Sequence, residues 1–238
     1  MGTRFGGWLV AAAAAVVILG ASIAPFLTPA AVRFEQDRAG VGALTGYSRT
    51  ELDAITGALL GDLVLWRGDF NVDAELLVDG RRGGYVLTAA EQAHMRDVRG
   101  VFTGFWLLVA AGVIGLALAF RRARGTEARA AVWRSVASGA RALAIGIAVV
   151  GAFAVLAFEA AFEVFHRLFF SSGTYTFNPA TDRLVQLFPM QFWSEISIAV
   201  GVVVLGVSIL TAWLAGRRSR RVGAPESMRG LTTSQVPT

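Results

Sequence analysis

The sequence predicts an all-α polytopic membrane protein: four transmembrane helices with a small α+β extracytoplasmic cap. Four stretches are long, apolar and almost free of charge, which is what crossing about 30 Å of hydrocarbon demands of a helix. Arginines gather at the edges of those stretches, where a membrane protein keeps its cytoplasmic charge. The one long connection, residues 33–99, mixes helix-capping signals with turn chemistry, which predicts a small folded cap.

Composition supports this and removes several function classes. At 55% hydrophobic and 16% charged, the 238 residues are too apolar for an ordinary soluble domain. The net charge of +5 is carried by arginine alone, and no polar domain interleaves it with stacking aromatics, so no nucleic-acid partner is expected. With no cysteine, disulfides, thiol nucleophiles and Cys-based metal centres are excluded.

Residues 1–32 hold the first transmembrane helix, charge-free from Phe5 onward. This apolar run exceeds a secretory signal core, so it reads as an uncleaved signal anchor. Residues 33–99 form the cap. Ser48 and Glu51 have capping-box spacing and open a helix to about Leu60, and 63–66 and 75–78 read as short strands beside the turns Gly68-Asp69 and Asp79-Gly80. A second capping box, Thr88 with Glu91, starts a helix that carries His94 and Asp97 towards the second span, 100–120.

A basic cytoplasmic loop, 121–141, precedes the third span, 142–166, which is apolar to Phe158 and stays in helical register through Glu159 and Glu163 to His166. The second outer loop is 167–195 and the fourth span 196–216. The tail, 217–238, is rich in Ser, Thr, Gly and Pro from Gly223 and is expected to be disordered.

Charge sets the direction of the chain. Arg4, loop 121–141 and the tail together hold 12 basic and 2 acidic residues, against 10 and 15 in the remaining segments. Positive segments stay inside, so both termini are expected in the cytoplasm and the two long loops outside the cell membrane.

That topology puts the two histidines at one depth, outside. Histidine suits proton transfer near neutral pH, and two that converge can serve as base and acid. Glu159, Glu163 and His166 share one helix face by spacing, as do Glu91, His94 and Asp97. Asp97 or Glu163 is placed to orient an imidazole. Phe162, Phe165, Phe169, Phe170, Phe192 and Trp193 surround the position and read mostly as an interfacial belt.

Three readings stay open at this point. One is a membrane acyltransferase that uses both histidines. Another is a metal-dependent hydrolase of lipids or peptides, although no H-x-x-x-H or H-E-x-x-H spacing supports a metal and no cofactor is expected. The last is a non-catalytic scaffold subunit whose cap binds a partner. A site open to the outer leaflet favours an ester-linked lipid or a lipidated protein terminus over a soluble metabolite.

At these residues the chain resembles a known family. Glu91-Gln92-Ala93-His94-Met95-Arg96-Asp97-Val98 is similar to the H-x-x-D-V motif before the second span of the lipoprotein intramolecular transacylases. Phe165-His166, Phe169-Phe170, Tyr175, the run from Phe177 to Asp182, and Leu187-Phe188-Pro189 resemble its second motif.

The resemblance implies an enzyme that moves the sn-2 acyl chain of a diacylglyceryl-cysteine lipoprotein onto that cysteine's own α-amino group, leaving a lyso-form lipoprotein. It makes His94 and His166 the catalytic pair, with Asp97, Glu163, Glu91, Tyr175 and Asp182 as supporting or substrate-binding residues. It makes the diacylated lipoprotein N-terminus and membrane lipid the partners. Holding amine and ester together makes the attack unimolecular, so positioning supplies much of the rate.

Overall fold

The structure, a computed structural model, describes residues 2–73, 84–171 and 173–223. Among them every regular element is a helix. The order is α1 (Gly2–Ile23), a 3₁₀ turn (Ala24–Phe26), α2 (Pro29–Arg38), α3 (Val41–Thr45), α4 (Arg49–Leu65), α5 (Ala89–Arg122), α6 (Thr126–Leu156), α7 (Phe158–Phe169), α8 (Arg183–Leu187) and α9 (Met190–Gly223). Four of these stretches are long and apolar enough to cross a membrane: Gly6–Phe26 and the helices α5, α6 and α9.

The chain divides into two compact units. The first comprises described residues 2–20, 108–147 and 204–223. It is packed through small residues: Ala14, Ala137, Ala140 and Ala215 are buried. A Cβ added at Gly139 would lie 2.0 Å from the Ala11 carbonyl oxygen, so the two backbones touch directly. Close backbone approach of this kind is how helices gain contact where lipid supplies no hydrophobic drive.

The second unit, residues 21–107 and 148–203, contains the cap. Its core joins Leu52, Ile55 and Leu59 of α4 to Phe70, Val72, Val86, Leu87, Met95, Leu184 and Leu187. Both expected capping boxes form. Ser48 N donates to Glu51 Oε2 at 2.6 Å, and Glu51 N donates back to Ser48 Oγ at 3.3 Å. Thr88 N donates to Glu91 Oε2 at 2.7 Å, and Glu91 N to Thr88 Oγ1 at 3.3 Å. Buried Gln36 ties α2 to two neighbours, donating to the Leu187 carbonyl and accepting from Thr56 Oγ1.

Among the described residues the cap is helical, not α+β. The stretch 63–66, expected as a strand, is the last turn of α4, ended by Trp66 in the left-handed region at φ 54°. It continues the helical face of Leu52, Ile55 and Leu59, and a short apolar run cannot by itself separate strand from helix. The only β pairing among the described residues is an isolated bridge between Asp73 and Tyr85. The second expected strand, 75–78, and the Asp79-Gly80 turn lie outside the described residues.

The helices also differ in extent from the expected segments. The stretch expected as one helix over 142–166 is two, because α6 ends at Leu156 and Ala157, at φ −148° and ψ 59°, separates it from α7. Between α5 and α6 only residues 123–125 are non-helical, so Arg129, Arg134 and Arg141 ride on α6. Helix α9 begins six residues before 196 and runs on to Gly223. The rest of the tail lies outside the described residues.

Candidate active site

His94 stands in the second turn of α5, just past the Thr88–Glu91 cap, and His166 near the end of α7. The two rings stack, with centroids 6.0 Å apart and planes 24° from parallel. Both side chains are buried.

Aromatic rings enclose the pair. Phe170 lies 4.9 Å from the His94 ring and 5.5 Å from that of His166. Phe177 is 5.6 Å from His94, while Phe162, Tyr175 and Phe165 stand 4.1, 5.2 and 5.5 Å from His166. Phe170 and Phe192 are buried, so these two are walls of the cap and site, not a lipid-facing belt. The spacing of Phe162 and His166, four apart on a helix, already places one ring over the other.

The hydrogen bonding distinguishes the two imidazoles. His166 Nδ1 lies 2.8 Å from the Phe162 carbonyl oxygen. A carbonyl only accepts, so in the neutral ring Nδ1 carries the proton and Nε2 keeps its lone pair. His94 Nδ1 is buried with no hydrogen-bond partner among the described residues.

The remaining expected residues separate into two groups. Tyr175 packs on His166 and donates a long hydrogen bond, 3.5 Å, to Glu163 Oε1, which also accepts from Arg167 Nε at 2.7 Å. Asp97 is exposed, one turn along α5 from His94. Glu91 and Asp182, by contrast, are engaged in the fold. Glu91 is wholly buried, and its Oε1 accepts from Leu184 N at 2.6 Å while Oε2 caps α5. Asp182 accepts from Asn178 N at 2.7 Å and from Thr181 Oγ1 at 3.0 Å, closing the turn before α8.

Glu91 was legible as a cap from its spacing to Thr88, but its bond to a backbone amide 93 residues away was not. Among the described residues no three His, Cys, Asp or Glu side chains converge into a group able to hold a metal. A buried imidazole pair walled by aromatic rings is suited to moving protons beside an apolar substrate.

Comparison with known proteins bears on what that substrate is. The family model described as lipoprotein intramolecular transacylase Lit matches residues 8–193. No curated protein sequence matches the chain. Among solved structures, the membrane integral lipoprotein intramolecular transacylase Lit from Bacillus cereus superposes with a TM-score of 0.71 at 18% identity, over 92% of this chain and 96% of that one. A variant of the same protein with a histidine replaced by arginine gives 0.66 at 18% identity, over 95% and 94%. A variant with a histidine replaced by alanine gives 0.66 at 19%, over 92% and 94%. At that identity the likeness shows a shared fold.

Proposed function

Since the chain belongs to the lipoprotein intramolecular transacylase Lit family, we propose that it transfers the sn-2 acyl chain of a diacylglyceryl-cysteine lipoprotein to that lipoprotein's own N-terminal amine, with His166 and His94 as base and acid. The observation that carries the reading is the stacked, buried imidazole pair, 6.0 Å between centroids.

The steps follow from the ring chemistry. The α-amino nitrogen attacks the ester carbonyl carbon and forms the new C–N bond. Nε2 of His166, the nitrogen left free by the bond from Nδ1 to Phe162 O, takes the proton that the nitrogen must lose. His166 passes that proton to His94, which delivers it to the glycerol oxygen as the C–O bond breaks. The proton lost by the amine is the one that the glycerol oxygen gains, so the cycle closes without net uptake or release.

Amine and ester belong to one molecule, so the site has chiefly to hold them together. Phe162, Phe165, Phe170 and Phe177 make an apolar enclosure for lipid, and Tyr175 and Glu163 lie at its polar edge. Asp97 is the charge best placed to favour the protonated form of His94 in that cycle.

The arginine distribution orients the molecule. With Arg4, the α5–α6 junction and the end of α9 on the cytoplasmic face, the histidines open to the outer leaflet of a bacterial cell membrane, where lipoprotein N-termini lie.

Mass spectrometry of lipoprotein N-terminal peptides from a host that depends on this chain tests the proposal. N-acylated lyso-form peptides should disappear with His94→Ala and with His166→Ala, each variant being present in the membrane at the normal level. Unchanged product with either would overturn the assignment of that residue.

A further inference from the structure

The end of α4 presents an apolar tip that neither the cap core nor the histidine site uses. The helix closes at Trp66, whose backbone is left-handed at φ 54°. Glycine is the ordinary residue for such a helix end, and a bulky side chain there is rare and strained. Nor is this tryptophan part of the interior. It is 59% exposed, and Leu65 and Val64 before it are 58% and 39% exposed.

What holds the tip is Arg99 of α5. Its guanidinium lies 4.4 Å from the centre of the Trp66 ring and 5.0 Å from that of buried Phe70. The same group donates to the Gly68 carbonyl at 2.8 Å and to Asp69 Oδ1 at 2.7 Å. Phe70 N in turn donates to Asp62 Oδ2 of α4 at 2.8 Å. Gly68 passes so close that an added Cβ would lie 2.7 Å from Asp62 Oδ1. The loop 66–70 is thus closed round one buried arginine, and its apolar end is exposed in a fixed place.

The depth of that arginine follows from the sequence. Arg99 is the last charge before the uncharged run Gly100–Phe120, which Arg121 closes. At 1.5 Å per residue the run rises about 31 Å, the thickness of the hydrocarbon. Arg99 therefore stands at the hydrocarbon boundary on the cap's side. Side chains lean towards the N-terminus of their helix, so its guanidinium reaches from that boundary into the head-group layer. The Trp66 ring stacked on it lies at the same level, where tryptophan is enriched in membrane proteins.

We propose that Val64, Leu65 and Trp66 form a membrane anchor of the cap, inserted among the lipid head groups and upper acyl chains of the leaflet on the cap's side. A lipid surface gives Val64 and Leu65 apolar cover and gives the indole N–H a polar layer in which to donate. Water would leave three adjoining apolar side chains uncovered on a rigid, strained turn. Arg99 and His94 belong to the same helix, so the anchor sets the depth of the segment that carries one imidazole. It does so whatever reaction the histidines perform.

The test reconstitutes the full chain in vesicles of dioleoyl phosphatidylcholine and dioleoyl phosphatidylglycerol, with and without bromine on the acyl chains. Trp66→Phe keeps a ring over Arg99, so wild-type emission minus that of the variant isolates Trp66 from the other tryptophans. That difference signal should lose most of its intensity to brominated lipid and little to aqueous acrylamide. A loss to acrylamide as large as the loss to bromine would put the tip in water and overturn the proposal. Quenching by neither would mean that protein covers the tip, which overturns the lipid assignment.

If Trp66→Phe does not fold, Leu65→Cys gives the cysteine-free chain a single thiol for a nitroxide label. The label should collide more with dissolved oxygen than with a water-soluble nickel chelate, and the opposite order would overturn the proposal.

Discussion

Nδ1 of His166 lies 2.8 Å from the carbonyl oxygen of Phe162, one turn earlier on the same helix. That bond fixes the tautomer and the direction in which Nε2 presents its lone pair. His166→Asn keeps a donor near the Phe162 carbonyl but has no second ring nitrogen. Lyso-form product should fall at least about 100-fold while the unfolding midpoint changes little. Near-normal product from this variant would show that Nε2 is not the base.

Tyr175 contributes in two ways that separate by mutation. Its ring packs on His166 at 5.2 Å, and its hydroxyl reaches Glu163 through a long, weak bond. Tyr175→Phe should leave turnover within a few-fold of normal, because a bond of this length at a half-exposed site contributes about 0.5 kcal/mol. Tyr175→Leu removes the flat wall against the imidazole and should reduce turnover by about tenfold or more. Equal effects of the two substitutions in a product assay would contradict this division.

Glu91 is a structural residue despite its place three positions before His94. It caps α5 through Thr88 and accepts from the Leu184 amide, wholly buried. Glu91→Ala leaves the Thr88 and Leu184 amides unpaired and should cost about 3 kcal/mol or more, seen as a clear drop in the unfolding midpoint. A midpoint equal to wild type would show that the cap does not depend on this junction.

Glu35 is a residue whose removal should help. Its carboxyl is held above the usual carboxylate range by burial first and by the Glu195 charge second, with Arg38 pulling the other way. Its Oε2 is buried with no hydrogen-bond partner among the described residues, and both Glu195 oxygens already accept, from Arg38 and from Gln191. A carboxyl raised on folding opposes folding once the pH climbs past its unfolded value, and the penalty is absent in acid. Glu35→Gln should therefore raise the unfolding midpoint near pH 7–8, with the gain vanishing towards about pH 4. A gain that did not change with pH would mean the charge is not its source.

Gly139 tests the packing of the first unit. A Cβ there would meet the Ala11 backbone at 2.0 Å, so Gly139→Ala forces the two helices apart. The expected result is a lowered midpoint or loss of folded protein, whereas Gly146→Ala, in open space on the same helix, should be neutral. Matching midpoints for the two variants would mean that the close approach is unimportant.

Much of this molecule is readable from residue order alone, because the strongest signals in it are local. A bilayer admits only helices with satisfied backbones, so uncharged runs such as 100–120 and 196–216 declare themselves without help from the rest of the chain. The capping boxes at Ser48 and Thr88 are likewise local, spaced to serve their own helix ends. Folding decided what depends on residues distant in sequence. The run 63–66 continued a helix because the cap core formed on the face of Leu52, Ile55 and Leu59. The helix over 142–166 divided at Ala157, where neither proline nor glycine marks a break. Above all, the stacking of His94 on His166 joins positions 72 residues apart, a contact that no periodicity encodes and that packing of α5, α7 and their aromatic walls brings about.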